Sequence, residues 1–201
     1  MAEARPDLVW YVAYGSNLAH ERLQCYLDGS RPAGASRAMR GARDPSPPGD
    51  IEPCVIPGRL RFARHSRTWN GGVAFFDPEA DGEVWARRYL VTWSQFEDIF
   101  AQENGQETRP VLLGEPVPHS SGWYRRLVRL NPWQGHPSVT FTDHDEHPPT
   151  SPSADYLRWV LTGLVDHRDH SLDAVADYLL AAPGMTPAWT RHDLVTLLPD
   201  R

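Results

Sequence analysis

The residues Leu8-Val9-Trp10-Tyr11-Val12-Ala13-Tyr14 are apolar at every position, and Gly15-Ser16-Asn17 end the run abruptly. A strand with one wet face alternates apolar and polar residues, whereas a run apolar on both alternating faces has to be covered on both sides. This segment therefore predicts a central strand of a sheet, followed by a tight loop at Gly15-Ser16-Asn17. Seven residues are far too few to span a bilayer or to form a typical signal core.

Five more strands are predicted at Arg59 to Arg64, Gly72 to Asp77, Glu83 to Trp93, Trp123 to Asn131 and Ser138 to Thr142. Each is rich in β-branched, aromatic or alternating apolar residues. The last quarter changes character. Ser151 and Pro152 open a helix running through Leu164, Ser171 to Ala182 forms another that stops at Pro183-Gly184, and Thr186 to Leu198 a third. Leu18 to Leu27 reads as a short helix. The stretch 28–57, rich in Gly, Pro, Arg and Ser without usable period, reads as a long loop or flap. With 201 residues, 40% hydrophobic, and eight Trp, seven Tyr and six Phe, the chain can bury a core of its own. One domain over 1–201 is expected, with the flap at 28–57 and a helical C-terminal extension at 167–201.

The formal net charge of −6 gives no electrostatic reason to expect nucleic acid or an anionic membrane as partner. Cys25 and Cys54 are too few for a disulfide scaffold and lack the paired spacing of a zinc site. A reduced, cytoplasmic setting is the expectation; the oligomeric state is not legible.

Between two of the strands, Ser94 to Gly105 carries start and stop signals for a helix. Ser94 and Glu97 form a Ser-x-x-Glu capping box, and Asn104-Gly105 is a natural stop. Phe96, Ile99, Phe100 and Glu103 fall at i, i+3, i+4 and i+7, so the carboxylate shares a face with three apolar residues. Burial and the negative end of the helix dipole are both expected to favour its neutral form, a property suited to a proton shuttle. The same spacing fits a glutamate that reaches water or pairs with an arginine, and periodicity does not choose between them. Glu97 is assigned to the cap, and Asp98 and Glu107 fall off the apolar face or outside the helix.

The segment Tyr11-Val12-Ala13-Tyr14-Gly15-Ser16-Asn17-Leu18 resembles the signature loop of the γ-glutamylcyclotransferase-like family. It is followed by Arg61-Phe62, and then by Ser66-Arg67-Thr68-Trp69-Asn70-Gly71-Gly72-Val73-Ala74, similar to the family's Ser-x-x-Trp-x-Gly-Gly-x-Ala segment. Glu83-Val84-Trp85 resembles its Val-Trp-Gly strand, and Gln102-Glu103 falls where such enzymes place their catalytic glutamate. Gly122-Trp123-Tyr124 and Pro152-Ser153-Ala154-Asp155-Tyr156, with the later Gly163, complete the series. Two departures stand out: Asn104 intervenes before Gly105 where the family follows its glutamate directly with glycine, and Arg87-Arg88 sit in a strand that is more apolar in familiar members. The resemblance implies an α+β fold, with a mixed, strongly curved β-sheet or small β-barrel flanked by helices.

It also implies a reaction. Such enzymes cleave a γ-glutamyl amide by attack of the glutamyl α-amine on its own γ-carbonyl, forming 5-oxoproline and a free amine without metal or cofactor. Glu103 is then the acid/base residue. Gly15-Ser16-Asn17 would offer backbone N–H groups to the substrate carboxylate or the developing oxyanion, and Tyr14 and Tyr124 would line the pocket with hydroxyls for substrate or Glu103. The expected partner is a small γ-glutamyl substrate. Two other readings remain open: the same scaffold acting on another acyl amide or a specialised metabolite, and a non-catalytic module binding a small ligand.

Other signals point elsewhere. The clusters Asp143-His144-Asp145-Glu146-His147 and Asp166-His167-Arg168-Asp169-His170 hold metal-ligand residue types, but Pro148-Pro149 and a polar gap between helices make solvated loops the expected fate. Ser16 lacks a nucleophile elbow, and Cys25 reads as a small buried hydrophobe. Arg37, Arg40 and Arg43 are placed to grip an anionic substrate from the flap, but a solvated loop is the expected reading.

Overall fold

The structure is a computed structural model that describes residues 6–112, 122–166 and 170–198. The apolar run becomes strand β1 (Leu8–Ala13). Its residues from Val9 to Ala13 are all buried, as a strand covered on both faces requires. Strand β2 is Asp50–Pro57, β3 Arg59–Ser66, β4 Gly71–Asp77, β5 Glu83–Thr92, β6 Arg126–Trp133 and β7 His136–Thr142. Five of them form a mixed sheet in the order β2-β5-β1-β7-β6, and β3 and β4 form a separate two-stranded ribbon. β1 lies between an antiparallel partner, β5, and a parallel one, β7, with Tyr11 opposite Tyr89 on one side and Val139 on the other. No barrel closes among the described residues. The expected mixed sheet with flanking helices is what is found.

The expected loop over 28–57 ends in strand β2. Its signal was hidden by Pro53 and Pro57, which a central strand would not tolerate; β2 is an edge strand, where prolines are accommodated. The loop between α1 (His20–Asp28) and β2 is fastened to helix α2 (Trp93–Glu103) by polar side chains of that helix. Gln95 Nε2 donates to the carbonyls of Asp44 and Ser46 (3.2 and 2.9 Å), and Gln102 Oε1 accepts from the N–H of Arg40 (3.0 Å). Arg43 binds Asp98 and Glu97, each at 3.0 Å. Arg43 is thus a clamp, and Glu97 serves it and the Val111 N–H (3.0 Å) rather than the helix cap.

The cap of α2 is Thr92, two residues earlier than the Ser94 box. Its hydroxyl accepts from Gln95 N–H, and the Gln95 side chain accepts from the Thr92 N–H. Two overlapping boxes exist in Thr92-Trp93-Ser94-Gln95-Phe96-Glu97, and β5 runs directly into the first.

Helices α3 (Ala154–Val165), α4 (Leu172–Leu180) and α5 (Arg191–Leu197) complete the chain. The C-terminal helices share the core with the sheet: Leu157, Val175, Leu179 and Leu194 are fully buried in it, and Trp85 of β5 stacks on Tyr178 at 4.4 Å. α3 crosses the 3-10 turn Ser16–Leu18 at Gly163. A Cβ there would fall 2.3 Å from the Leu18 carbonyl carbon and 2.5 Å from Ala19 N. Gly163→Ala is expected to cost about 2 kcal/mol by overpacking. For a domain of this size that lowers Tm by roughly 5 °C, read by thermal denaturation; an unchanged Tm would mean the two elements separate freely.

Candidate active site

All six residues singled out in the sequence line one cavity of about 670 Å³: Tyr14, Gly15, Ser16, Asn17, Glu103 and Tyr124. That volume suits a small-molecule ligand. The cavity opens between the end of β1, helix α1, the C-terminal end of α2 and the β3–β4 ribbon.

Glu103 ends α2 on its inward face, above Phe96, Ile99 and Phe100, which are all buried. Its carboxylate is half-buried, and its surroundings are polar. Asn17 Nδ2 donates to Glu103 Oε1 at 2.8 Å and to the Tyr11 hydroxyl at 3.2 Å. The loop after the first strand and the end of the helix, 86 residues apart in sequence, meet in this bond. Asn17 Oδ1 is buried with no hydrogen-bond partner among the described residues. The turn itself is pinned from behind, where the Tyr89 hydroxyl donates to the Asn17 carbonyl at 2.8 Å.

Gly15 serves packing more than ligand approach. A Cβ there would lie 2.9 Å from the Tyr156 hydroxyl and 3.1 Å from Ala74 Cβ. The Tyr156 oxygen accepts the Ala74 N–H (3.0 Å), which fixes the hydroxyl that crowds Gly15. Tyr14 and Tyr124 also differ from expectation. The Tyr14 hydroxyl donates to the Phe141 carbonyl (2.7 Å) and the Tyr124 hydroxyl to the Ala74 carbonyl (3.1 Å). Their protons are committed to strands β7 and β4, leaving only oxygen lone pairs for a ligand. Buried polar groups find partners, and backbone carbonyls were the nearest.

Asn104, where glycine was expected after the glutamate, has a definite task. It adopts an ordinary right-handed conformation, and Gly105 takes the positive φ of 62°. Its side chain accepts from Tyr124 N–H (2.9 Å) and donates to the Tyr124 carbonyl (3.0 Å), holding the tyrosine against the cavity. The Ser-x-x-Trp-x-Gly-Gly segment has a packing explanation too. Gly72 N–H donates to Ser151 O at 2.7 Å, and a Cβ on Gly72 would fall 2.0 Å from Thr150 O.

Several lining residues carried no signal strong enough to select them. Arg22 and Tyr26 lie four apart on α1, so they share a face just beyond the signature turn, and that spacing was the available clue. Arg22 is buried, its guanidinium lies 4.3 Å over the Tyr26 ring, and Nη2 donates to the Tyr26 hydroxyl at 2.8 Å. Arg37, Arg40 and Arg67 also line the cavity, and Glu103 is the one carboxylate among its described lining. In a chain of net charge −6, this is a local concentration of positive charge.

The cluster at 143–147 is not a simple solvated loop. The Asp143 carboxylate is buried and receives Arg64 (3.0 Å), Arg125 (2.9 Å) and His147 (2.7 Å). Burial alone would raise its pKa, but His147 and Arg125 outweigh it and hold the carboxyl below its ordinary value. Asp143, Asp145 and His147 offer ligand atoms within 4.8 Å of one another. Two guanidinium groups already neutralise them, an arrangement that disfavours a cation. Arg64 adopts φ 58° at an irregularity between Ala63 and Ser66 and lies 5.5 Å over the Trp123 ring, so the network steadies the segment carrying Tyr124. The second acidic and histidine cluster falls partly outside the described residues.

No protein-family model matches the chain. It is 30% identical over 188 residues to histone deacetylase 5 of Arabidopsis thaliana, a similarity that covers 79% of this chain and spans 28% of that protein's length. Two solved structures superpose on nearly all of it. One is a gamma-glutamyl cyclotransferase, at TM-score 0.54 and 17% identity, over 96% of this chain and 90% of the other. The second is an uncharacterized protein from Homo sapiens, at TM-score 0.53 and 18% identity, over 97% and 90%. At these identities the likeness establishes the fold. None of the helices in the described residues is long and apolar enough to cross a membrane.

Proposed function

We propose that this chain, which has the γ-glutamylcyclotransferase fold, cleaves a γ-glutamyl amide by intramolecular cyclisation with Glu103 as the proton shuttle. The observation that carries the reading is the 2.8 Å bond from Asn17 to Glu103, which closes the signature turn onto the helix-end carboxylate inside one cavity. The α-ammonium gives a proton to Glu103, and the freed amine attacks the γ-carbonyl to form the five-membered ring. The amide C–N bond then breaks; the leaving nitrogen takes back the proton held by Glu103, and the second hydrogen of the attacking nitrogen passes through the same carboxylate to it, so the ring keeps one N–H and the amine departs as an ammonium ion. Holding the glutamyl chain folded supplies most of what an intramolecular attack needs.

The arginines around the cavity favour a substrate that brings negative charge, through its α-carboxylate and a carboxylate on the departing amine.

The test is mass spectrometry of the protein with a panel of γ-glutamyl amino acids and γ-glutamyl amines. Release of 5-oxoproline, with charged γ-glutamyl amino acids preferred over uncharged amines, is the expected result. An acetylated histone peptide belongs in the same panel, because the Arabidopsis relative is called a histone deacetylase. Consumption of that peptide and of no γ-glutamyl compound would replace the cyclotransferase reading with cleavage of another acyl amide.

A further inference from the structure

We infer that Arg22 is a buried anion anchor in the cavity wall, the counter-charge for a carboxylate of the ligand; in the proposed reaction this is the α-carboxylate of the γ-glutamyl unit. The choice of carboxylate rests on that reaction, and the anchor itself rests on burial and contacts. Arg22 is only 4% exposed and lines the cavity, yet Nε and Nη1 have no hydrogen-bond partner among the described residues. Its one hydrogen bond runs from Nη2 to the Tyr26 hydroxyl at 2.8 Å, and its guanidinium lies over the rings of Tyr26 and Trp69 at 4.3 and 5.6 Å. Both rings belong to the cavity lining. No carboxylate of the described residues is in ion-pair contact with it. Glu103, which shares the cavity, takes its hydrogen bond from Asn17 instead.

Elsewhere in this chain buried charge is matched. Asp143 collects two guanidinium groups and an imidazole, and Glu97 and Asp98 share Arg43. A charge taken out of water without a partner costs stability, and an arginine buried for structure normally saturates its donors. Position makes the cost larger. Arg22 lies in the first turn of α1, where the helix dipole is positive and a cation is out of place; Glu21 of the same turn is exposed to solvent. Charge and dipole act in the same sense, and what both lack is an anion.

The other cations of the cavity are occupied or screened. The Arg40 guanidinium donates to the Gln106 carbonyl (2.9 Å) and the Thr108 hydroxyl (3.3 Å), and it pairs with Glu107. Arg37 and Arg67 are exposed, where water and salt weaken their fields. Of the described lining arginines, Arg22 alone combines burial with unpartnered donors. In a wall poor in water its attraction reaches several ångströms, so it selects an anion without every donor having to touch it. The two aromatic faces hold the guanidinium in place and keep its charge.

The test is isothermal titration calorimetry with 5-oxoproline and with its carboxamide, which differ in charge and hardly in shape. The unaltered protein is expected to bind the acid at least about tenfold more tightly than the amide. Arg22→Met keeps an unbranched chain against the two rings, and should erase the preference by weakening the acid and leaving the amide as it was. Arg22→Lys keeps the charge and should keep a preference of the same sign. Thermal denaturation supplies a second readout: Arg22→Met should melt no lower than the unaltered protein, because an unpartnered buried cation has been removed. No preference for the acid in the unaltered protein, a preference that survives Arg22→Met, or a Tm several degrees lower in that variant would overturn the anchor. Calorimetry needs no turnover. A preference that depends on Arg22, in a protein that releases no 5-oxoproline from γ-glutamyl compounds, upholds the anchor and rejects the reaction; release without preference does the reverse.

Discussion

Glu103→Gln is expected to fold and melt like the unaltered protein and to turn over a γ-glutamyl amide about a thousandfold more slowly, or worse. Glutamine keeps the size of the side chain, and its Oε1 can still accept from Asn17 Nδ2. What it loses is the ability to take a proton from one nitrogen and return it to another. Both transfers fall on this one group, so a single substitution removes the base of the first step and the acid of the second. Steady-state kinetics with 5-oxoproline as the measured product separates the effects: kcat should fall while KM changes little. A variant within tenfold of the original would take Glu103 out of the mechanism.

Phe96→Ala is expected to be the most destabilising of the simple core truncations near the site, by about 4 kcal/mol. The ring is fully buried and packs against Trp93 (5.2 Å), Tyr11 (6.0 Å), Phe141 (6.3 Å) and Phe100 (6.4 Å). It therefore joins α2 to both central parallel strands, β1 and β7. A loss of this size is a large share of a typical domain's 5–15 kcal/mol or so. Denaturant unfolding should show a lower midpoint with an unchanged slope. Because α2 ends at Glu103, the folded fraction should also lose activity. Stability within about 1 kcal/mol of the original would mean that the site does not depend on this aromatic layer.

The central strand, the helix that carries Glu103 and the turn that meets it were legible in the sequence because each rests on a local rule. β1 is a run apolar on both faces, and α2 shows a 3.6-residue period with a stop at Asn104-Gly105. What local rules could not reach was settled by tertiary choices. Pro53 and Pro57 disguised β2, since only the sheet order reveals that it is an edge. Two capping boxes overlapped, and the choice of Thr92 followed from where β5 ended. Tyr14 and Tyr124 do reach the cavity, but their hydroxyl protons go to the carbonyls of Phe141 and Ala74, partners 127 and 50 residues away. The polar partner of Glu103 arrived the same way. Glu103 was expected in an apolar setting from its neighbours on the helix, and Asn17, which donates to it, comes from another part of the chain altogether.

In the proposed reaction the γ-carbonyl is attacked by the substrate's own amine and not by water. Product analysis in water enriched in oxygen-18 distinguishes the two. Cyclisation predicts 5-oxoproline free of the label, equimolar with the released amine, and both formed at least about a thousandfold more slowly by Glu103→Gln. Glutamate carrying oxygen-18 in its γ-carboxyl would rule out cyclisation and make the protein a hydrolase built on the same fold.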